Sequence, residues 1–125
     1  MVRYKCKDDT LFCFYDFQVS PSSFDFFTFL YSAEVCRIRR NLKYIYVSLV
    51  HGPHSKFRGD RLRSTEVNEM FFHNVIVPGL SLLPSISAFC WIPRTDLEIG
   101  NIKKENLFPR GYDLEIPTRE YVAHE

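Results

Sequence analysis

The sequence predicts an α/β domain: a three-layer Rossmann-like unit with a mostly parallel sheet of three to four strands and flanking helices. Three observations carry that prediction. Short apolar runs recur along the chain, LFCFYDF, YIYVSLV and ISAFCWI. Between them lie helix-length segments with apolar residues three and four apart, FDFFTFLYSAEVCRIRRN and STEVNEMFFHNVIVPGLSLL. Each run is followed by a polar, proline-bearing loop: QVSPSS, HGPHSKFRGDRLR and PRTD. Parallel strands need a long crossover, and one helix supplies it.

Met1 to Thr10 reads as a polar lead-in. Leu11–Phe17 is the first strand, and its near-continuous apolar run suits a strand covered on both faces. Ser20-Pro21-Ser22-Ser23 offers a turn and an N-cap for the first helix, with Asp25 at the favourable end of its dipole. Phe26, Phe29, Leu30, Ala33 and Cys36 recur at helical spacing and should face the sheet. Arg37, Arg39 and Arg40 fall in the last turn, where cations favour the dipole, and Asn41 can close the helix.

Tyr44–Val50 is the second strand, broken sharply by His51-Gly52-Pro53. The loop His54–Arg63 carries no helix or strand period. Ser64 or Thr65 can cap a second helix, with Val67, Met70, Phe71 and Val75 as its apolar stripe and Asn74 on the same stripe. Pro78-Gly79 should end or kink it, with Leu80–Leu83 able to resume it for one turn. Ile86–Ile92 is the third strand. Beyond Leu97 the pattern weakens to turns, an extended segment Leu107–Tyr112, and a helix start near Pro117.

The 125 residues fit one domain with one core. Twelve Phe and seven Tyr demand burial and so argue against a disordered chain. A net charge of +1 leaves no global field for nucleic acid, and the aromatics are not interleaved with a basic stripe, so no nucleic-acid partner is expected. Cys6, Cys13, Cys36 and Cys90 form no C-x-x-C pair and read as buried, reduced thiols. No apolar run reaches the ~20 residues of a membrane span. The charged start MVRYKCKDD lacks the apolar core of a secretory signal, so the expected location is cytoplasmic.

Three constellations could carry chemistry. In the loop from Lys56 to Arg63, Arg58 and Arg61 suit a phosphate or diphosphate, although a solvated loop has the same composition. His51 could serve as a base; with His54 it makes a poor metal pair, because Gly-Pro separates them and no third ligand is evident, so no metal is expected. Asp16, near the carboxyl end of the first strand, is placed for a ligand or, equally, to accept hydrogen bonds from the next loop. The chain has no G-x-G-x-x-G, P-loop, G-x-S-x-G or H-E-x-x-H motif, and no cofactor is expected.

The segments YDFQVSPSSFDFFTFLYSAEVCRIRRNLKYIYVSLVHGP, FRGD, NVIVPGLSLLPSI and FPRGYDLEIPTREY resemble the N-terminal part of a family of bacterial glycosyltransferase-like proteins linked to surface polysaccharide synthesis. The resemblance spans most of Tyr15–Tyr121. It implies a GT-B-like plan: two Rossmann-like halves with a cleft between them, the C-terminal half holding most of the nucleotide-sugar and the N-terminal half shaping the acceptor side. Residues 1–125 would then be the N-terminal half of a longer two-domain enzyme, inactive alone. It would move a sugar from a nucleotide-sugar donor to a glycan or lipid-linked acceptor. Under that reading Asp16, Ser20, His51, Arg58 and Arg94 face the cleft, with Asp16 and His51 the catalytic candidates and Ser20, Arg58, Arg61 and Arg94 the phosphate-binding ones. The alternative is a stand-alone flavodoxin-like module that binds a phosphorylated small molecule or a protein. A half-enzyme should leave an apolar face or sheet edge uncovered around Tyr112–Tyr121, to be covered by a second copy or a partner chain.

Overall fold

The computed structural model describes residues 2–4, 7–20, 22–52 and 65–114. The elements run β1 (Val2–Arg3), β2 (Thr10–Asp16), α1 (Asp25–Arg39), β3 (Tyr44–His51), α2 (Thr65–Phe71), a π-turn (Phe72–Ile76), α3 (Val77–Gly79), β4 (Ile86–Pro93), β5 (Leu97–Glu98) and β6 (Leu107–Phe108). The main sheet is parallel throughout, in the order β4-β3-β2-β6. A two-stranded parallel ribbon, β1 with β5, stands apart from it. The predicted α/β class, with a parallel sheet and flanking helices, is what the chain adopts.

The strand order has a direct consequence. From β2 to β3 to β4 the chain steps in one direction, and crossovers of one hand then place both helical segments on one face. On that face Leu11, Cys13, Tyr15, Ile45, Val47 and Leu49 pack against Phe26, Phe29, Leu30, Ala33 and Cys36 of α1 and against Ile76 and Leu80. The fourth strand, β6, lies on the other side of β2, so the connection from β4 returns across the opposite face. There Phe12, Phe14, Val50 and Ile92 are covered by Tyr4, Leu97, Ile102 and Tyr112. Every residue of β2 is buried, as its unbroken apolar run requires. This is the Rossmann order, in which the strand sequence reverses beside the first strand. It differs from the flavodoxin-like order of the alternative reading, where the first strand lies between the second and third.

The stripe on α1 packs as its spacing predicts, and the helix ends as Asn41 suggested. Asn41 takes a φ of 58°, Leu42 N–H reaches Arg37 O at 3.0 Å, and Asn41 N–H reaches Ile38 O at 3.1 Å. That is the paired bonding of a left-handed helix cap. The arginines are used locally. Arg37 bonds Glu34 and, at 2.9 Å, Leu42 O; Arg40 donates to Glu105 O at 3.1 Å and Leu107 O at 2.8 Å, which ties the helix end to β6. At the other end the N-cap position is Phe24, without a side-chain cap. Ser23 Oγ instead accepts from Asp25 N–H at 3.2 Å.

Four expectations need correction. The lead-in is not merely polar: Val2–Arg3 pairs with β5, and Tyr4 is a core residue. The stripe on the second helix lies elsewhere. Val67 and Met70 are exposed and Asn74 is too, whereas Asn68, Ile76 and Leu80 are buried and Phe72 packs on the core. The cause is the π-turn, whose wider i→i+5 bonding keeps residues four apart in line instead of letting them drift round the helix. The turn precedes Pro78, which has no N–H to give an α-helical bond. The helix then ends at Gly79, and Leu80–Leu83 forms a turn rather than resuming it. A Cβ on Gly79 would sit 3.2 Å from a Phe27 ring atom, so this glycine permits the close approach of α1. Finally, Tyr112 is buried at 5% exposure, so the apolar surface expected there is absent at that residue; residues 115–121 of the expected patch lie outside the described residues. Exposed apolar side chains stand instead on β4 (Phe89, Trp91) and near the start of α1 (Phe24, Phe27, Tyr31).

Candidate functional site

Open parallel sheets bind ligands outside the carboxyl ends of their strands, at the point where strand order reverses. Here that point lies between β2 and β6. β2 ends at Asp16, whose side chain is 1% exposed. A carboxylate so buried must be compensated. Gln18 N–H donates to Oδ1 at 2.9 Å, Tyr112 Oη–H donates to Oδ2 at 2.7 Å, and the Arg94 guanidinium pairs with Oδ2. Arg94 also donates to Leu114 O, and its buried Nε has no acceptor among the described residues. The Tyr112 ring stacks on Phe14 at 4.9 Å and 6°. Burial, and then the adjacent Asp16 carboxylate, raises the Tyr112 hydroxyl far above the ordinary phenol range, so it stays a donor.

Asp16, Arg94 and Tyr112 thus form one buried, hydrogen-bonded cluster at the end of β2. Asp16 takes up the structural option left open by the sequence, and Arg94 serves it as counter-ion. Ser20 is buried at 2% exposure, and its N–H bonds Asp16 O at 2.8 Å. Asp16, Ser20 and Arg94 are therefore brought to one place, as the strand ends implied.

His51 lies at the neighbouring strand end, on the helix face. Its ring stacks on Trp91 at 4.4 Å and 25°, and its Nδ1 is 3.1 Å from Gly52 O. Phe72 and Phe17 also contact Trp91, at 4.7 Å and 5.6 Å between centroids. Trp91, Phe17 and Phe72 were not among the candidates. A tryptophan one residue short of a strand's last apolar position was the available signal. Arg58, Arg61 and His54 lie outside the described residues.

On the opposite face a second polar cluster holds the core together. Tyr4 Oη and Ser48 Oγ are 2.6 Å apart, and Cys90 Sγ lies 3.5 Å from Ser48 Oγ. Burial, and then Cys90, pushes the Tyr46 hydroxyl up to about 12. Cys13, Cys36 and Cys90 are thiols rather than disulfides. Among the described residues, no group of three or more His, Cys, Asp or Glu side chains is placed to hold a metal, and no helix is long and apolar enough to cross a membrane.

Fold and site together define a Rossmann-like α/β domain with two distinct strand-end features: a buried Asp16–Arg94–Tyr112 cluster and a stacked His51–Trp91 pair. Comparison of the chain with protein-family models, curated proteins and solved structures finds no match.

Proposed function

We propose that this chain is the N-terminal, acceptor-side half of a glycosyltransferase-like enzyme of GT-B plan. It would help move a sugar from a nucleotide-sugar donor to a glycan or lipid-linked acceptor, and would be inactive alone. The observation that supports the reading is the carboxyl edge of a Rossmann-ordered sheet. Asp16, Ser20 and Arg94 meet there with His51 at the neighbouring strand end, and Asp16 is committed to Arg94 and Tyr112. Such an edge suits holding a substrate more than activating one. Acceptor positioning is itself a large share of catalysis when two substrates must meet.

The test is to read the source DNA and transcript past codon 125, then express the joined protein. The expected result is a frame encoding a second α/β half, with sugar transfer by the joined protein and none by residues 1–125. Unrelated sequence after a stop codon would overturn the reading.

A stand-alone binding module is the second reading. The observation favouring it is that the buried Asp16 at the end of β2 finds its partners, Tyr112 and Arg94, within this chain. Titration of the chain with nucleotide-sugars separates the two. Affinity in the isolated chain that is lost on Arg58→Ala would support a phosphate-binding module.

A further inference from the structure

We propose that the outer face of α1 is an interaction surface whose occupant is a second copy of this chain, packed helix against helix and antiparallel. α1 is apolar on two sides. Phe26, Phe29, Leu30, Ala33 and Cys36 pack on the sheet. On the other side Phe24, Thr28, Tyr31, Val35 and Ile38 follow one another at alternating spacings of four and three residues. That alternation keeps a stripe in line along a helix that packs on another helix. Phe24, Tyr31 and Ile38 are 62%, 72% and 61% exposed, and the Phe24 backbone is helical at φ −62° and ψ −16°. A helix apolar on both sides is ordinarily buried on both. The patch is broader than the stripe. Phe27 stacks on Phe24 at 6.3 Å and lies close to Gly79, and the exposed Leu82 follows in the turn where its N–H bonds Gly79 O at 3.1 Å.

Charge selects the occupant and its direction. Asp25 lies in the first turn of α1 and Arg39 in the last, and both are exposed. Each stands one residue past a stripe position, so they share one flank of the stripe. A parallel copy would set like charges and like dipole ends side by side, whereas an antiparallel copy sets opposite ones together. A two-fold axis beside Ser32 puts Tyr31 against Val35 of the second copy, Thr28 against Ile38, and Asp25 against Arg39, each twice. On the other flank Glu34 meets its own copy, but its charge is already answered by Arg37, and Ser85 Oγ–H donates to it at 2.8 Å. The stripe is thus complementary to itself. A second α/β half would sit across the carboxyl edge of the sheet, so this contact is independent of the transferase reading.

β4 is an edge among the described residues and offers a copy an open-ended surface, whereas a two-fold contact closes at two copies. The test therefore uses residues 1–125 carrying Ala88→Lys, which blunts that edge. Sedimentation velocity should show this variant in a reversible monomer–dimer equilibrium with nothing larger. Adding Tyr31→Lys should weaken the dimer about tenfold or more, with circular dichroism unchanged. Ile38→Lys, exposed at the far end of the stripe, repeats the reading independently of Tyr31. Ser32→Cys places a thiol beside the axis, so mild oxidation should trap a covalent dimer that reductant releases. The chain without the added cysteine sets the background from its four native thiols. Asp25→Cys should give no dimer above that background, because the two copies of residue 25 stand about 20 Å apart along antiparallel helices. A monomer at every concentration, a dimer equally strong after Tyr31→Lys and Ile38→Lys, or trapping through Asp25→Cys rather than Ser32→Cys would overturn the proposal.

Discussion

The Asp16 carboxylate takes a backbone N–H, a phenol and a guanidinium while its side chain is almost wholly buried. Removing one partner of such a buried pair leaves the other charge uncompensated, which costs about 3–5 kcal/mol. Asp16→Ala should therefore lower stability by about that much, read from the urea midpoint at unchanged slope. Tyr112→Phe keeps the stack on Phe14 and loses only the hydroxyl, so about 1.5–3 kcal/mol is expected. A loss below about 0.5 kcal/mol in both would mean that the cluster is solvated. The phenols add a pH dependence. Tyr46 is raised from 10.0 to about 12, mainly by burial. Below pH 10 the phenol is neutral whether folded or unfolded, and its contribution is fully present. Above pH 10 the unfolded chain ionises first and stability falls until about pH 12. Tyr4 and Tyr112 are raised in the same direction and extend the loss upward. Tyrosinate absorbance should rise together with loss of circular dichroism. Absorbance rising through that range with the fold intact would refute the linkage. At this scale the sequence was half legible. A carboxylate at a strand end could be seen, but its partner Tyr112 lies 96 positions away and enters through a connection without periodicity.

The segment Thr65–Gly79 shows why an element's existence is easier to read than its buried face. Its apolar residues at 67, 70, 71 and 75 form a credible stripe at 3.6 residues per turn. The five-residue π-turn breaks that period, so Asn68, Phe72, Ile76 and Leu80 point inward instead. Asn68 is tied down through its carbonyl, which accepts from Ser22 Oγ at 2.6 Å. The competing stripes predict opposite mutational results. Ile76→Ala should cost about 2–5 kcal/mol as a core truncation. Met70→Lys, at 50% exposure, should cost less than about 0.5 kcal/mol. Urea midpoints of the two variants would settle the register. A severe loss for Met70→Lys with a mild one for Ile76→Ala would restore the simple helical stripe. By contrast α1 was read correctly, face and C-terminal cap alike, because no irregular turn interrupts its period.

For the whole molecule, the question is what its sheet edges do. The βαβ pattern made β2, β3 and β4 legible, while β6 is only two residues long and finds its place beside β2 through packing. The consequence is that β4 forms an edge among the described residues. A bulge at its start and Pro93 at its end interrupt pairing there, but Ala88–Ile92 between them carries no charge, and Ala88, Phe89 and Trp91 are exposed. Natural edges are usually blunted by a charged residue in such a position. The expected outcome is concentration-dependent self-association of residues 1–125, seen by sedimentation velocity. Ala88→Lys puts a charge in the middle of the edge and should shift the distribution toward monomer without lowering the urea midpoint. Phe24 and Phe27 form the competing surface, stacked at 6.3 Å near the start of α1. If Phe24→Lys disperses the protein and Ala88→Lys does not, association runs through the helix face and the strand edge is inert. If the wild-type chain sediments as a monomer at all concentrations, neither surface drives association. The expectation that an uncovered edge recruits a second chain would then fail.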